Sequence, residues 1–225
     1  MTSLNTQSAS PRLEQSRVRL VPVVHLVAGD MLGMSAEEPV EFEERVSFGP
    51  VTRSSTDPDA AKWLADRLGR IASAAWADGA AGSPILVTAP MAALGHPDTA
   101  VACDAAVRRT TMCQQEFCLM FSDTAFASET VDCTSRVARL RKAGFRVGID
   151  MRRSWHTPLS ESLRLMIDTI RVDADALEAS PDLQEVVMIA RECGILVVAD
   201  NANWRDGDFL ESTGVSGAIA PRTDA

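Results

Sequence analysis

The alternation of short apolar runs with longer amphipathic segments is the feature that most constrains the fold of this chain. From Arg17 onward, runs rich in Val, Ile, Leu and Phe are separated by segments whose apolar residues recur at helical spacing. The predicted strands lie at 18–27, 85–88, 117–121, 145–150, 169–172, 195–199 and 217–220. Apolar strands that alternate with helices indicate an α/β fold in which helices cover a parallel sheet. This many units within about 200 residues predict a single (β/α) TIM-like barrel rather than an open sheet.

Capping residues and glycines predict where the helices begin and end. Asp57 and Pro58 open the first helix, and Gly79 closes it. Gly29 and Gly33 predict a short hairpin after the first strand. Further helices are predicted from 97, from 133 to 144, over 159–167, from 180 to 194 and around 208–211. The segment 35–56 receives no assignment.

Composition excludes several classes of protein. The 22 Lys and Arg residues are outnumbered by 31 Asp and Glu residues, giving a net charge of −9, which argues against a nucleic-acid partner. The longest apolar runs fall well short of the ~20 residues that span a bilayer. Residues 1–16 are polar and predict a disordered leader before a domain at 17–225. The five cysteines are odd in number and show no CxxC spacing, which favours a cytoplasmic location without structural zinc.

Charged side chains collect where the predicted strands end, which is where barrels of this kind carry their chemistry. Asp150, Asp173 and Asp200 each close a strand. Four arginines lie in the same strands and loops: Arg152, Arg153, Arg171 and Arg205. The aspartates could form a residual single-cation site, or they could cap helices and pair with Arg152, Arg171 or Arg205 as a structural network. Cationic neighbours oppose a metal ion and favour the network. The arginines themselves form either an anion site for a phosphate or for a partner's carboxylates, or a solvated surface.

Aromatic residues in the same loops are candidates for contact with another protein. Trp155 lies beside arginines, a composition typical of interface hot spots, and we expect it to contact a partner. Trp204 is expected to fold back and fill the pocket, and His156 could join an interface. Trp63 and Trp76 lie on the first helix and are predicted to pack.

Four segments resemble EAL domains, the bacterial cyclic di-GMP phosphodiesterases. They are VPVVHL at 21–26 followed by Gly29 and Gly33, LRKAGFRVGID at 140–150, IRVD at 170–173 and ILVVAD at 195–200. They occur in the order and spacing of the family and span nearly the whole chain after the leader. The resemblance implies a single barrel of the EAL type, with a divalent-metal site at its mouth.

This chain departs from the family at most positions to which the resemblance assigns a ligand. The signature glutamate falls on Ser35, a following arginine on Pro39, an asparagine on Thr88, the next glutamate on Met120, the second paired aspartate on Met151, the active-site lysine on Arg171, and two late glutamates on Asp200 and Asn203. The glycine-rich loop is replaced by RRSWH at 152–156. Only Asp150 and Asp200 keep a carboxylate at these positions.

The remaining side chains do not suit hydrolysis by two metal ions, which requires several hard oxygen ligands. We therefore predict a degenerate, non-catalytic EAL-like protein that uses no cofactor and acts in bacterial cyclic di-GMP-related signalling by binding an unidentified protein. A metal-independent receptor for cyclic di-GMP or another nucleotide is the alternative, and an active phosphodiesterase is a third hypothesis. A homodimer is left open, with no interface assumed.

Overall fold

Eight strands close into a barrel in which neighbours around the ring are also neighbours in the sequence. The computed structural model describes residues 18–37, 58–127 and 132–221. The strands are β1 (Arg19–His25), β2 (Met31–Glu37), β3 (Ile85–Thr88), β4 (Phe117–Ser122), β5 (Arg146–Asp150), β6 (Thr169–Asp173), β7 (Leu196–Asp200) and β8 (Gly217–Ala218). The predicted leader and Pro39 lie outside the described residues.

Eight α-helices are present within the described residues. They are α1 (Pro58–Ala77), α2 (Met91–Gly95), α3 (Thr99–Val107), α4 (Cys133–Lys142), α5 (Glu161–Arg164), α6 (Ala174–Ala179), α7 (Pro181–Glu192) and α8 (Gly207–Thr213). Short 3₁₀ turns lie at Gln114–Glu116, Asp123–Ala127 and Trp204–Asp206. The predicted (β/α) barrel is therefore confirmed.

The sheet is not wholly parallel, because β1 runs antiparallel to both β2 and β8. The remaining neighbours pair in parallel from β2 to β8. A tight turn joins β1 to β2, and a connection this short cannot make the crossover that parallel strands need. The hairpin predicted from Gly29 and Gly33 is confirmed, and it corrects the expectation of a uniformly parallel sheet.

Capping predicted the longer helices better than the shorter ones. The Ser180 hydroxyl accepts the Leu183 N–H at 3.2 Å and opens α7 as expected. The helix predicted over 159–167 is a single turn, α5, capped by Ser160. The one-turn helices α2 and α6 were not predicted, because such short segments show no helical periodicity.

Alternate residues of each strand divide the apolar residues into two layers. Outward-facing side chains pack beneath the helices in the larger core. A smaller cluster fills the lower part of the barrel interior: Val23, Leu86, Cys118, Met120, Val198 and Ile219. Met120 covers Gly148 so closely that a Cβ at residue 148 would lie 2.7 Å from the Met120 Cε. The lower interior is therefore apolar and closely filled around Met120.

The two tryptophans of α1 differ in their surroundings. Trp63 packs against the core, with the Arg67 guanidinium 5.4 Å from the centre of its ring. Trp76 is 63% exposed, so the expectation that it packs was wrong. It lies in the last turn of α1. The predicted apolar stripe of this helix, Leu64, Leu68 and Ile71, faces inward, and residue 76 lies on a different face of the helix. Within the described residues, no helix is long and apolar enough to cross a membrane.

Substituting Gly33 tests the tight approach of β2 to the residue that precedes β3. A Cβ at this position would press on the backbone carbonyl of Pro84, which accepts the Met34 N–H at 2.7 Å and cannot move aside easily. We expect Gly33→Ala to lower the free energy of unfolding by about 1–3 kcal/mol, measured by urea denaturation. Gly69→Ala is the matched control: nothing lies within 4 Å of a Cβ there. Replacing this helical glycine should stabilise by up to about 1 kcal/mol. Equal effects at the two glycines would contradict this packing.

Candidate functional site

The carboxyl ends of β5, β6 and β7 bring four predicted residues together at the mouth of the barrel. Asp150 is the register partner of Arg171, and Asp173 is the register partner of Asp200. Asp150 and Arg171 are 1% and 0% exposed, which places their charges in the protein interior. Buried charges are tolerated only when they are paired and hydrogen-bonded. The partners of these groups therefore decide what the mouth can do.

Arg171 binds Asp200 through two parallel hydrogen bonds. Its Nε donates to Oδ1 at 2.5 Å, and its Nη2 donates to Oδ2 at 2.7 Å. This bidentate geometry matches the planar fork of a guanidinium to both carboxylate oxygens. The same Nη2 lies 3.5 Å from Oε1 of Glu37, which is the last residue of β2 and is also buried. Arg171 thus joins two carboxylates from different sides of the barrel.

Arg152 binds the other two aspartate oxygens at the mouth. Its Nε and Nη2 donate to Oδ1 and Oδ2 of Asp150 at 3.0 and 2.7 Å. Its Nη1 reaches Oδ2 of Asp200 at 3.0 Å, so one guanidinium bridges two carboxylates. We call Glu37, Asp150, Arg152, Arg171 and Asp200 the mouth cluster. It contains one more carboxylate than guanidinium groups.

The mouth cluster shifts the pKa of Asp150. Burial by itself raises the pKa of this carboxyl, but the charge and hydrogen bonds of Arg152, together with the charge of Arg171, lower it below its usual value. Asp150 is therefore held as a carboxylate. Its negative charge balances the positive charge of the Arg152 guanidinium that binds it.

Asp173 and Asn203 have local structural contacts instead. Asp173 accepts the Ala176 N–H at 3.1 Å, which caps α6, and the Asn201 amide at 2.7 Å. Asn203 accepts the Arg205 N–H at 3.1 Å and opens a 3₁₀ turn. Asp150 and Asp200 thus pair with arginines and Asp173 caps a helix, and both kinds of contact belong to the structural alternative predicted for these aspartates.

The loop after β5 is held against the barrel by a buried carboxylate. Asp123, fully buried after β4, accepts the Ser154 hydroxyl at 3.0 Å and the Thr157 N–H at 3.4 Å. Trp155 is half-buried and packs against the core, with its ring centre 5.2 Å from that of His156. The anchored loop thus packs part of the indole against the barrel, and contact of Trp155 with a partner stays a prediction.

The exposed members of the predicted set lie around the mouth cluster. Arg153, His156 and Arg205 are all exposed. Arg205 is thus a surface residue, and the predicted pairing of a mouth aspartate falls to Arg152 and Arg171 instead. Trp204 begins a 3₁₀ turn, and the position of its side chain is outside what the structure describes.

Three positions that the resemblance assigns to ligands hold buried neutral side chains. Ser35, Thr88 and Met120 are each 0% exposed. Within the described residues, the hydroxyls of Ser35 and Thr88 and the Nη1 of Arg171 are buried without a hydrogen-bond partner. Met120 points its thioether into the barrel, where Cys118 Sγ lies 3.7 Å from its sulfur. As ligands for a metal ion at the mouth, the two hydroxyls are weak donors and the thioether is a soft one.

The donor set at the mouth does not fit a pair of divalent cations. Magnesium and manganese prefer several hard anionic oxygen ligands, and Met120 is a soft one. The carboxylates of Asp150 and Asp200 already bind guanidinium groups, which remain charged at any ordinary pH. Among the described residues, no group of three or more His, Cys, Asp or Glu side chains is placed to hold a metal ion.

Sequence reasoning missed two residues that shape this site. Glu37 lies two residues after Ser35 on the inward face of β2, a period-two signal that could have indicated it. Asp123 lies two residues after the predicted strand 117–121, yet its role depends on Ser154 and Thr157, which are distant in the chain.

The closed barrel with one antiparallel strand and a charged mouth defines a class of (β/α) barrel protein. A family model described as the EAL domain matches residues 8–204. The chain belongs to the EAL domain family. No curated protein matches the sequence.

Solved structures with the same fold are distant in sequence. BlrP1 of Klebsiella pneumoniae, solved in a manganese and cyclic di-GMP complex, is 18% identical with a TM-score of 0.71, over 93% of this chain and 55% of that one. The PaMucR phosphodiesterase in complex with cyclic di-GMP is 18% identical with a TM-score of 0.65, over 90% of this chain and 88% of that one. The EAL domain of Mycobacterium smegmatis DcpA is 16% identical with a TM-score of 0.65, over 89% of this chain and 88% of that one. This chain therefore spans a little over half of BlrP1.

Replacing Arg171 tests whether the guanidinium neutralises buried carboxylates. We expect Arg171→Met to lower the free energy of unfolding by about 3–5 kcal/mol near pH 7, because Asp200 and Glu37 would lose a buried counter-charge. This loss of stability should become smaller toward about pH 4.5. In the variant the pKa of the unpaired carboxyls is raised, so they become protonated there and no longer carry a buried negative charge. Arg108→Met is the control, since this exposed arginine pairs with Asp104 at the surface, and it should cost under about 1 kcal/mol. A pH-independent loss in Arg171→Met would contradict the network.

The lowered pKa of Asp150 predicts the direction of the acid response. A carboxyl whose pKa is lower in the folded than in the unfolded state stabilises the fold above the unfolded pKa of about 3.9. This stabilisation is lost as the pH falls from that value through the lower, folded pKa. We expect urea midpoints of the protein to fall more steeply between about pH 5 and about pH 3 than those of Asp150→Asn. Parallel profiles would show that Arg152 does not depress this pKa.

Proposed function

We propose that this protein is a non-catalytic EAL domain that acts in bacterial cyclic di-GMP-related signalling by binding another protein. The observation that supports this is the binding of Asp150 and Asp200 by two guanidinium groups. A metal ion at the mouth would have to displace both arginines from buried carboxylates. That exchange would take from Arg171, which is 0% exposed, its bidentate partner Asp200 and leave the longer contact with Glu37 at 3.5 Å.

Phosphodiester hydrolysis also needs a proton acceptor, and the side chains at these positions do not supply one. Arg171 stands where the resemblance places a lysine, and a guanidinium cannot give up its proton in a protein. Asp150 could accept a proton only after releasing Arg152, which lowers its pKa. Activation of a water molecule by the mouth cluster is therefore disfavoured twice, by the absent ligands and by the bound carboxylates.

The partner surface that we propose surrounds the mouth. Arg153, His156 and Arg205 are exposed there on a chain whose net charge is −9. Asp123 anchors the loop that bears Arg153 and His156, so this surface is organised before a partner arrives. Such preorganisation lowers the ordering cost of binding, and local positive charge favours an acidic partner segment. Cytoplasmic location and homodimerisation remain predictions.

A hydrolysis assay separates the proposal from an active phosphodiesterase. Purified protein with manganese and cyclic di-GMP should release no linear product above a blank without protein. Turnover that requires manganese and disappears in Asp150→Asn would overturn the proposal. The control Asp173→Asn changes an aspartate that caps α6 outside the mouth cluster and should leave either result unchanged.

Site-specific photo-crosslinking in the native bacterium tests the partner surface. A crosslinking amino acid at Arg153, His156 or Arg205 should capture the same protein, whereas one at the exposed Lys62 of α1 should not. The captured protein, once purified, should bind this chain directly, and Arg153→Glu should weaken the complex about tenfold or more. Capture that is equal at Lys62, or direct binding that ignores charge reversal, would contradict this surface.

A metal-independent nucleotide receptor is the second candidate, and it is favoured by one observation. Arg171 Nη1 and the Ser35 and Thr88 hydroxyls are buried without partners within the described residues, so they could receive a polar ligand. Asp150 and Asp200 already bind the guanidinium groups of Arg152 and Arg171, so a phosphate would have to compete with them, which is why we rank this function second. Calorimetry with cyclic di-GMP in the presence of a chelator tests this second function. Micromolar binding that Arg152→Ala or Arg153→Ala abolishes would support the receptor.

A further inference from the structure

Helix α7 carries two exposed apolar residues on the outer side of the barrel. Met188 is 52% exposed and Ile189 is 36% exposed. Isolated apolar residues are normal on a protein surface, whereas neighbouring ones form a patch that can bind another molecule. Among the large apolar side chains that are exposed in the described part of the chain, only these two are consecutive in the sequence. This pair is therefore a candidate contact site.

The packing of α7 does not account for the exposed pair. The apolar stripe that this helix packs on the barrel consists of Leu183, Val187 and Ala190, which are all buried. These residues recur at helical spacing and already supply the buried face of the helix. Met188 and Ile189 lie outside that stripe and contribute little to its packing. Their apolar side chains are thus available for contact with another molecule.

Carboxylates flank the exposed pair. Those of α7 lie seven or four residues before Ile189, or three after it, so they share its face of the helix. Arg191, the one basic residue of α7, runs beside Gly214 at the end of α8. The exposed acidic side chains of α6 and α7 are Asp175, Glu178, Asp182, Glu185 and Glu192.

We call Asp182, Glu185, Met188, Ile189 and Glu192 the α7 face. Its apolar centre is bordered by negative charge, which excludes several occupants. Nucleic acids and anionic membrane surfaces carry the same sign of charge and would be repelled. A second copy that met this face with its own α7 face would bring like charges together.

The basic helix of a second copy does not fit the α7 face either. Helix α4 carries four basic residues and no acidic one, but its large apolar residues Val137 and Leu140 are buried. It therefore offers no large apolar side chain to cover Met188 and Ile189. The occupant must be a different protein that combines positive charge with an apolar surface.

We propose that the α7 face binds a basic amphipathic helix of another protein. An apolar stripe of that helix would cover Met188 and Ile189, and Lys or Arg residues beside the stripe would pair with the carboxylates. The flexible Met188 side chain can adapt to the shape of the stripe. The α7 face shares no residue with the partner surface around the mouth, so it adds a second contact site to the function proposed above.

Binding of two synthetic peptides to the whole protein tests this surface. The probe is a peptide of about 18 residues, long enough to form a helix, in which Leu recurs on one face and Lys fills the others. The second peptide has the same composition in scrambled order, so it keeps the charge and loses the apolar face. Fluorescence anisotropy should show that the amphipathic peptide binds at least about tenfold more tightly. Equal affinities, or no binding of either peptide, would overturn the proposal.

Matched variants locate the binding site of the amphipathic peptide. Ile189→Ser and Glu185→Lys should each weaken its binding about tenfold. Val101→Ser on α3 and Asp66→Lys on α1 make the corresponding changes at exposed positions of other helices and should leave the affinity within about twofold. All four positions are exposed, so each variant should keep the thermal unfolding transition of the unchanged protein. Losses that are equal for the α7 variants and their controls would contradict a site on α7.

Discussion

The bidentate ion pair between Arg171 and Asp200 is the interaction on which the rest of the mouth depends. Arg171 is fully buried, so its charge is stable only while carboxylates from β2 and β7 remain beside it. Those carboxylates in turn need the guanidinium, because an unpaired buried charge costs several kcal/mol. Arg152 completes the arrangement by joining Asp200 to Asp150. The result is a set of mutually dependent charges that hold the ends of four strands together, β2, β5, β6 and β7.

This interdependence explains how an EAL barrel can keep its fold with so few ligand residues. Metal ions and guanidinium groups both neutralise clustered carboxylates, but only a metal ion can polarise a bound water molecule. Replacing cations by arginines would preserve the electrostatic balance at the mouth while removing that chemistry. Below the mouth, Met120 fills the space over Gly148, and the interior becomes apolar. The two ends of the barrel therefore offer different chemistry, charged at one end and apolar at the other.

Much of the fold could be predicted from local signals, and the site only in part. Apolar runs and caps placed the strands from β3 to β7, because each signal is contained within a few residues. The pairing of Asp150 and Asp200 with Arg152 and Arg171 was a sequence hypothesis that the contacts support. The part played by Glu37 was missed, since the Arg171 guanidinium that it faces comes from a strand on the far side of the ring. The half-burial of Trp155 likewise depends on Asp123, which anchors its loop from a distant part of the chain. The exposure of Trp76, by contrast, follows from its position off the apolar stripe of α1.

Anomalous diffraction at the manganese edge from crystals grown with manganese and cyclic di-GMP tests the central claim most directly. If Arg152 and Arg171 occupy the carboxylates, the anomalous map should show no peak between Asp150 and Asp200, and both ion pairs should persist. A pair of manganese peaks at the mouth, with the two guanidinium groups turned away from the aspartates, would contradict the account.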